Sequence, residues 1–127
     1  MWPRLPKIDD PVFTEHIRLA DWALRIGGVL SIRVAAVGSR VTAPADSVRQ
    51  DSDYDILMFV KRPDLLEAAE ALHKSGYVTD SSAYAAQEHT FTSWRFGGVN
   101  VLLTSDADFV NKFLIGTELA QRFKLRN

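Results

Sequence analysis

The chain has 127 residues, 46% of them apolar and 24% charged, with a formal net charge of −1. That size and mix suit one globular domain over residues 1–127 that can bury a core, and the near-neutral balance argues against a basic surface that coats nucleic acid. Cysteine is absent, which excludes a disulfide scaffold and thiolate metal sites. No stretch approaches the ~20 apolar residues of a membrane span, and the N-terminus carries no signal-peptide pattern. A cytoplasmic domain without membrane contact is expected.

Residues 1–9 contain Pro3 and Pro6 and read as an irregular lead-in. Asp10 before Pro11 reads as an N-cap followed by a first-turn proline. Phe13, Ile17, Ala20 and Leu24 then recur at helical spacing, Trp22 and Ile26 widen the apolar face, and Gly27-Gly28 supplies the stop. All of these apolar positions are expected in the core. A first strand, from about Leu30 to Val37, ends at Gly38-Ser39. A polar loop with Pro44 follows, in which Asp46 and Asp51 read as turn formers, and the chain re-enters an apolar run from Ile56 to Val60. Lys61-Arg62-Pro63-Asp64 leads into a helix with Leu65, Leu66, Ala69 and Leu72 on its inner face and Gly76 at its end. Tyr77-Val78 is a short extended piece, and the stretch from Thr79 to Gln87 has no strong period and reads as a loop.

A hairpin comes next. Glu88 to Phe96 alternates, Gly97-Gly98 signals a turn, and Val99 to Thr104 returns. A tight turn pairs Phe96 with Val99 and Arg95 with Asn100. One face then carries Trp94, Phe96, Val99, Val101 and Leu103, a core face. The other carries Ser93, Arg95, Asn100 and Thr104, and is polar enough to be either solvated or part of a site. Ser105-Asp106 caps a last helix from about Ala107 toward Arg126. Val110, Phe113, Leu114, Thr117 and Ala120 face inward along it, and its end is basic. This order of elements predicts an α/β (α+β) fold, a small mixed sheet with helices packed on it.

The chemistry concentrates between the first two strands. Asp53 and Asp55, at i and i+2 of a strand, project from one face, with Tyr54, Ile56 and Met58 on the other. Two like charges at the start of an apolar strand are costly unless a cation lies between them. A divalent metal held by oxygen ligands is the simplest such cation. Arg40 and Arg49 are the loop's candidates to meet phosphate, because guanidinium matches phosphate oxygens bidentately; the alternative is two solvated arginines. His16, His73 and His89 are scattered without metal-ligand spacing, and no Ser-His-Asp order, Gly-rich phosphate fingerprint or HExxH motif occurs.

Gly38-Ser39 followed by Ser52-Asp53-Tyr54-Asp55-Ile56-Leu57 resembles the signature of the nucleotidyltransferase superfamily, whose fold is shared with DNA polymerase beta. The resemblance implies that the Gly38-Ser39 turn holds nucleotide phosphates and that Asp53 and Asp55 hold Mg²⁺ (or Mn²⁺). Arg40, Ser52 and Arg95 join the expected nucleotide-binding set. Two departures stand out: Ala43 occupies a place where the family often has Gly, and the loop is longer than usual. The family also commonly carries a third carboxylate on a later strand, and Val99-Asn100-Val101 resembles that segment with Asn in its place. The third group is implied to help hold the metal at the acceptor hydroxyl and to draw off its proton. Asn offers one neutral acceptor oxygen and cannot act as a base. Arg95, predicted opposite, makes the spot less suited to a second cation and better suited to a phosphate or a carboxylate.

Three functional readings follow. In the first, Asp53, Asp55 and Asn100 are the catalytic set of an Mg-dependent enzyme that moves a nucleoside monophosphate from a nucleoside triphosphate to an unidentified hydroxyl acceptor on protein, RNA or a small molecule. In the second, the same fold is weakened at Asn100 and acts as a nucleotide-binding or protein-interaction module. In the third, the carboxylates are structural, capping turns or pairing with Arg40 or Arg49. A homodimer or a protein partner is expected to complete the open side of so short a domain.

Overall fold

The computed structural model describes residues 10–42, 53–79 and 91–126. Helix α1 (Pro11–Ile26) begins as expected: Asp10 Oδ1 accepts from the backbone N–H of Val12 at 2.9 Å and of Phe13 at 3.3 Å. Pro11 sits where its missing N–H would have had no helical partner. Phe13, Ala20, Ala23 and Leu24 are buried, whereas Trp22 and Ile26, expected inside, are 58% and 64% exposed. Each lies two residues from a buried position, about 200° around the helix, so the stripe that faces the sheet cannot include them.

Strand β1 (Arg33–Val37), the single turn α2 (Ser39–Thr42) and β2 (Tyr54–Phe59) follow, then a 3₁₀ turn over Arg62–Asp64 that opens α3 (Leu65–Lys74). The remaining elements are β3 (Val78–Thr79), β4 (Thr92–Phe96), β5 (Val99–Thr104) and α4 (Ala107–Arg126). The sheet order is β1-β2-β5-β4-β3, with β2 and β5 parallel and the other pairs antiparallel. This is a mixed α/β architecture, as the sequence predicts. Leu30 is 71% exposed, and the first strand starts at Arg33 rather than near Leu30.

Helices cover both faces of the sheet. On one side Phe13 and Leu24 of α1 and Leu72 of α3 pack with Ile56, Met58, Trp94, Val101 and Leu103. On the other, Val110 and Leu114 of α4 pack with Ala35, Val37 and Leu57. Strand β2 is therefore buried on both sides, which explains why Ile56-Leu57-Met58 is a continuous apolar run rather than an alternating one. Burying each such side chain contributes about 1.5–3 kcal/mol.

Two other expectations are corrected by the packing, and one left open is narrowed. Leu66 is 38% exposed, and Ala68 takes its place on the inner face of α3. Phe96 is 53% exposed, because it lies at the hairpin tip beyond the covered part of the sheet, where its ring meets that of Tyr77 at 5.3 Å. The polar face of the hairpin, which reads as either solvated or part of a site, divides: Thr104 and Asn100 are buried, and Arg95 is exposed. The hairpin register itself is as predicted, Phe96 opposite Val99 and Arg95 opposite Asn100. At the start of α4, Asp106 Oδ1 accepts from Phe109 N at 3.1 Å, and Thr104 Oγ1 accepts from Asp106 N at 3.0 Å.

Among the described residues, no helix is long and apolar enough to cross a membrane. Residues 1–9, the loop with Pro44, Asp46, Arg49, Asp51 and Ser52, and the stretch 80–90 with His89 lie outside the described residues, as do the side chains of Ser39, Thr117 and Ala120.

One buried hydrogen bond on the hairpin gives a stability prediction. Trp94 Nε1 donates to Thr92 Oγ1 at 3.0 Å, both side chains being buried. Thr92→Val keeps the volume and removes the acceptor, leaving the indole N–H unpaired, so the expected loss is about 1–3 kcal/mol. Denaturant unfolding should show it as a lower midpoint at unchanged slope.

Candidate nucleotide site

The register sets Val37, Asp55, Asn100 and Arg95 side by side across β1, β2, β5 and β4. Immediately after Val37 the chain turns at Gly38, whose φ is 85°, a conformation that glycine adopts without the Cβ penalty. A Cβ there would run into the Asp55 carboxyl group, with Asp55 Cβ and Cγ each 2.8 Å away. The backbone of the turn is pressed against the carboxylate, and only glycine permits that approach.

The side chains converge on the α4 side of the sheet. Asn100 Nδ2 donates to Asp55 Oδ1 at 3.2 Å, and Arg95 Nη1 donates to Asp53 Oδ2 at 3.0 Å. Facing a carboxylate, the amide of Asn100 must present its NH₂ group, which turns Oδ1 away. That Oδ1 is buried and has no hydrogen-bond partner among the described residues. Burial pushes the Asp55 carboxyl above its ordinary value; the Asn100 donation opposes this, the Asp53 charge adds to it, and the Arg95 charge opposes it. The predicted grouping of Asp53, Asp55, Asn100 and Arg95 is therefore what the structure shows.

Arg40 behaves differently. Tyr54, on the opposite parity of β2, packs its ring against Phe13 and His16, each at 5.2 Å, and the Arg40 guanidinium stacks over it at 4.0 Å. Arg40 thus stands on the Tyr54 side of β2, away from the face that carries Asp55 and Asn100. The structural reading pairs the carboxylates with Arg40 or Arg49; among the described residues Asp53 pairs with Arg95 instead, and Arg49 lies outside them. Tyr54 as a platform for Arg40 was not anticipated. The signal for it lay in an aromatic at the mouth of the strand with an arginine just past the preceding turn.

Among the described residues no three His, Cys, Asp or Glu side chains gather as a metal cluster. The donor set still fits one divalent cation. Asp53 and Asp55 offer carboxylate oxygens from one face, burial holds the half-buried Asp55 above its ordinary value, and Asn100 faces them with its NH₂ group. Arg95 already supplies a positive charge at Asp53. Hard oxygen donors of this kind suit Mg²⁺ or Mn²⁺. A separate cavity of about 550 Å³ opens at the other end of β1 and β2, lined by Ile32, Arg33, Phe59, Lys61 and Val110 among others. It contains none of the four residues of the carboxylate row and is no part of this site.

Comparison with known proteins gives a fold. No protein-family model matches the chain, and no curated protein matches it. Solved structures do. A structure of Cid1 in complex with the UTP analogue UMPNPP aligns with a TM-score of 0.58 at 16% identity, over 95% of this chain and 35% of that one. A cytoplasmic RNA terminal U-transferase aligns with a TM-score of 0.60 at 14% identity, over 95% and 36%. The GLD-2/RNP-8 complex aligns with a TM-score of 0.57 at 12% identity, over 97% and 40%. The chain has the nucleotidyltransferase fold, as the Gly38-Ser39 and Asp53/Asp55 signature implies. It spans just over a third of the length of the structures it matches.

Proposed function

We propose that the row from Gly38 through Asp55 to Asn100 is a metal-dependent nucleotide site, and that the protein transfers a nucleoside monophosphate from a nucleoside triphosphate to a hydroxyl acceptor. The observation that carries this reading is the contact of the Gly38 turn with Asp55, which sets the turn directly against one of the two carboxylates. Asp53 and Asp55 would hold the cation, which supplies charge neutralisation for a triphosphate whose pyrophosphate leaves. Backbone N–H groups at the turn after Gly38 would take phosphate oxygens. Asn100 would position Asp55 through its Nδ2 donation, and as a neutral amide it takes no proton from the acceptor hydroxyl. The Cid1 and U-transferase structures make UTP the first nucleotide, and an RNA end the first acceptor, to try.

Calorimetric titration of ATP, GTP, CTP and UTP, with and without Mg²⁺, tests the site itself. Mg-dependent binding of at least one of them is expected, and binding of none would overturn the proposal. A second reading is favoured by one observation, the neutral Asn100 where a base would stand: a site that binds nucleotide and turns it over slowly or not at all. Asn100→Asp separates the two. Transfer that appears or rises tenfold or more, within the roughly 10²–10⁴ that a positioned base contributes, marks a weakened enzyme. Loss of transfer in that variant shows that the amide itself is the working group.

A further inference from the structure

The Arg95–Asp53 contact has a property that the nucleotide-site reading, on which this inference rests, does not use. The two side chains are 56% and 35% exposed, so their 3.0 Å contact is an ion pair of the kind that contributes little and breaks readily. Arg95 is nevertheless fixed at its root, since β4 pairs it with Asn100 in register. Arg95 holds one oxygen of Asp53, Oδ2; a divalent cation on Asp53 and Asp55 would share that carboxylate, and its charge would repel the guanidinium. The two cations therefore compete for one ligand.

Once displaced, Arg95 remains beside Asn100 with its charge uncompensated. It lies three strands from Val37, about 14 Å at ~4.8 Å per strand. Swung back from Asp53 toward its root on β4, the guanidinium would meet an anion on the β4 side of the row, away from the Gly38 turn.

We propose that Arg95 is a displaceable latch on Asp53: a divalent cation releases it, and the released guanidinium takes an anionic group, a phosphate or a carboxylate, of the ligand on the β4 side. Cation and anion then bind with positive coupling. By linkage each tightens the other by the same factor, and the empty site is guarded against the cation alone.

Mn²⁺ titration by electron paramagnetic resonance, on the full chain, tests this with wild type, Arg95→Gln and Arg40→Gln. Each is run in chloride, sulfate and acetate at matched ionic strength. In chloride, Arg95→Gln should bind Mn²⁺ about two- to fivefold more tightly, the range that an exposed ion pair allows, and Arg40→Gln should change it less. Sulfate should tighten Mn²⁺ on wild type and not on Arg95→Gln if the anion is phosphate-like. Acetate should do so instead if it is a carboxylate. Equal tightening in both variants would show a net-charge effect and overturn the latch, as would an anion effect that survives Arg95→Gln or is absent from wild type. Failure of all three proteins to bind Mn²⁺ would instead overturn the nucleotide-site reading, and the latch with it.

Discussion

Gly38→Ala should abolish metal-dependent nucleotide binding and destabilise the fold. Two costs add. The residue has φ 85°, which an L side chain adopts at about 1–2 kcal/mol. The new methyl also overlaps the Asp55 carboxyl group, with Cβ and Cγ both at 2.8 Å, so either the turn or the start of β2 must move. The expected total is about 2–4 kcal/mol, within the range of overpacking combined with backbone strain. Gly97→Ala is the matched control: its φ is 57°, but an added Cβ there meets nothing within 4 Å. It should cost about 1 kcal/mol by strain alone and leave nucleotide binding intact. Denaturant midpoints give the stabilities, and calorimetry with Mg²⁺ and nucleotide gives the binding. Unchanged binding in Gly38→Ala would mean that the turn does not bear on the site.

The parts of this architecture legible in the sequence are those set by local rules. Asp10-Pro11 and Asp106 announce helix starts because an N-cap needs only a short acceptor beside a few backbone N–H groups. The hairpin register follows from Gly97-Gly98 and the alternation on either side, and that register alone put Arg95 beside Asn100. The carboxylate pair was legible for the same reason: strand parity fixes which side chains share a face. What was not legible depended on partners distant in the chain. The outward turn of Trp22, Ile26 and Leu66 is decided by where α1 and α3 meet the sheet, and an apolar residue just off the buried stripe reads like one within it. Phe96 alternates correctly, yet lies past the end of the layer that would bury it. The ion pair of Arg95 with Asp53 spans 42 positions, and the stacking of Arg40 on Tyr54 crosses the site loop. Both arginines are legible as cations near the site; the partner of Arg95 has no local signature, and that of Arg40 has only a weak one, an aromatic at the mouth of the next strand.

Asp55→Asn should remove metal-dependent nucleotide binding altogether and, without metal, make the protein more stable. The first effect follows from taking one of the two carboxylates from the proposed metal set, a loss that the neutral Asn100 beside it does not make good. The second follows from the direction in which Asp55 is perturbed. Burial, with Asp53 nearby, raises its folded value above the ordinary one. A group so raised favours the folded state when protonated, so that contribution is complete below the unfolded value and is lost as pH rises through the folded one. Near neutral pH the ionised Asp55 therefore weakens the metal-free fold. The Asn side chain removes the charge and still accepts from Asn100 Nδ2, so the hydrogen bond at 3.2 Å survives. Scanning calorimetry without metal should place the variant a few degrees above wild type, roughly 2–5 °C for about 1 kcal/mol in a domain of this size. The gap should close as pH falls below the ordinary aspartate value, where wild type is itself neutral there. Adding Mg²⁺ and nucleotide should raise wild type, because ligand binds only its folded state, and leave the variant where it was. A variant less stable than wild type near neutral pH would show that Asp55 serves the fold rather than the site. Binding retained in the variant would remove Asp55 from the metal set.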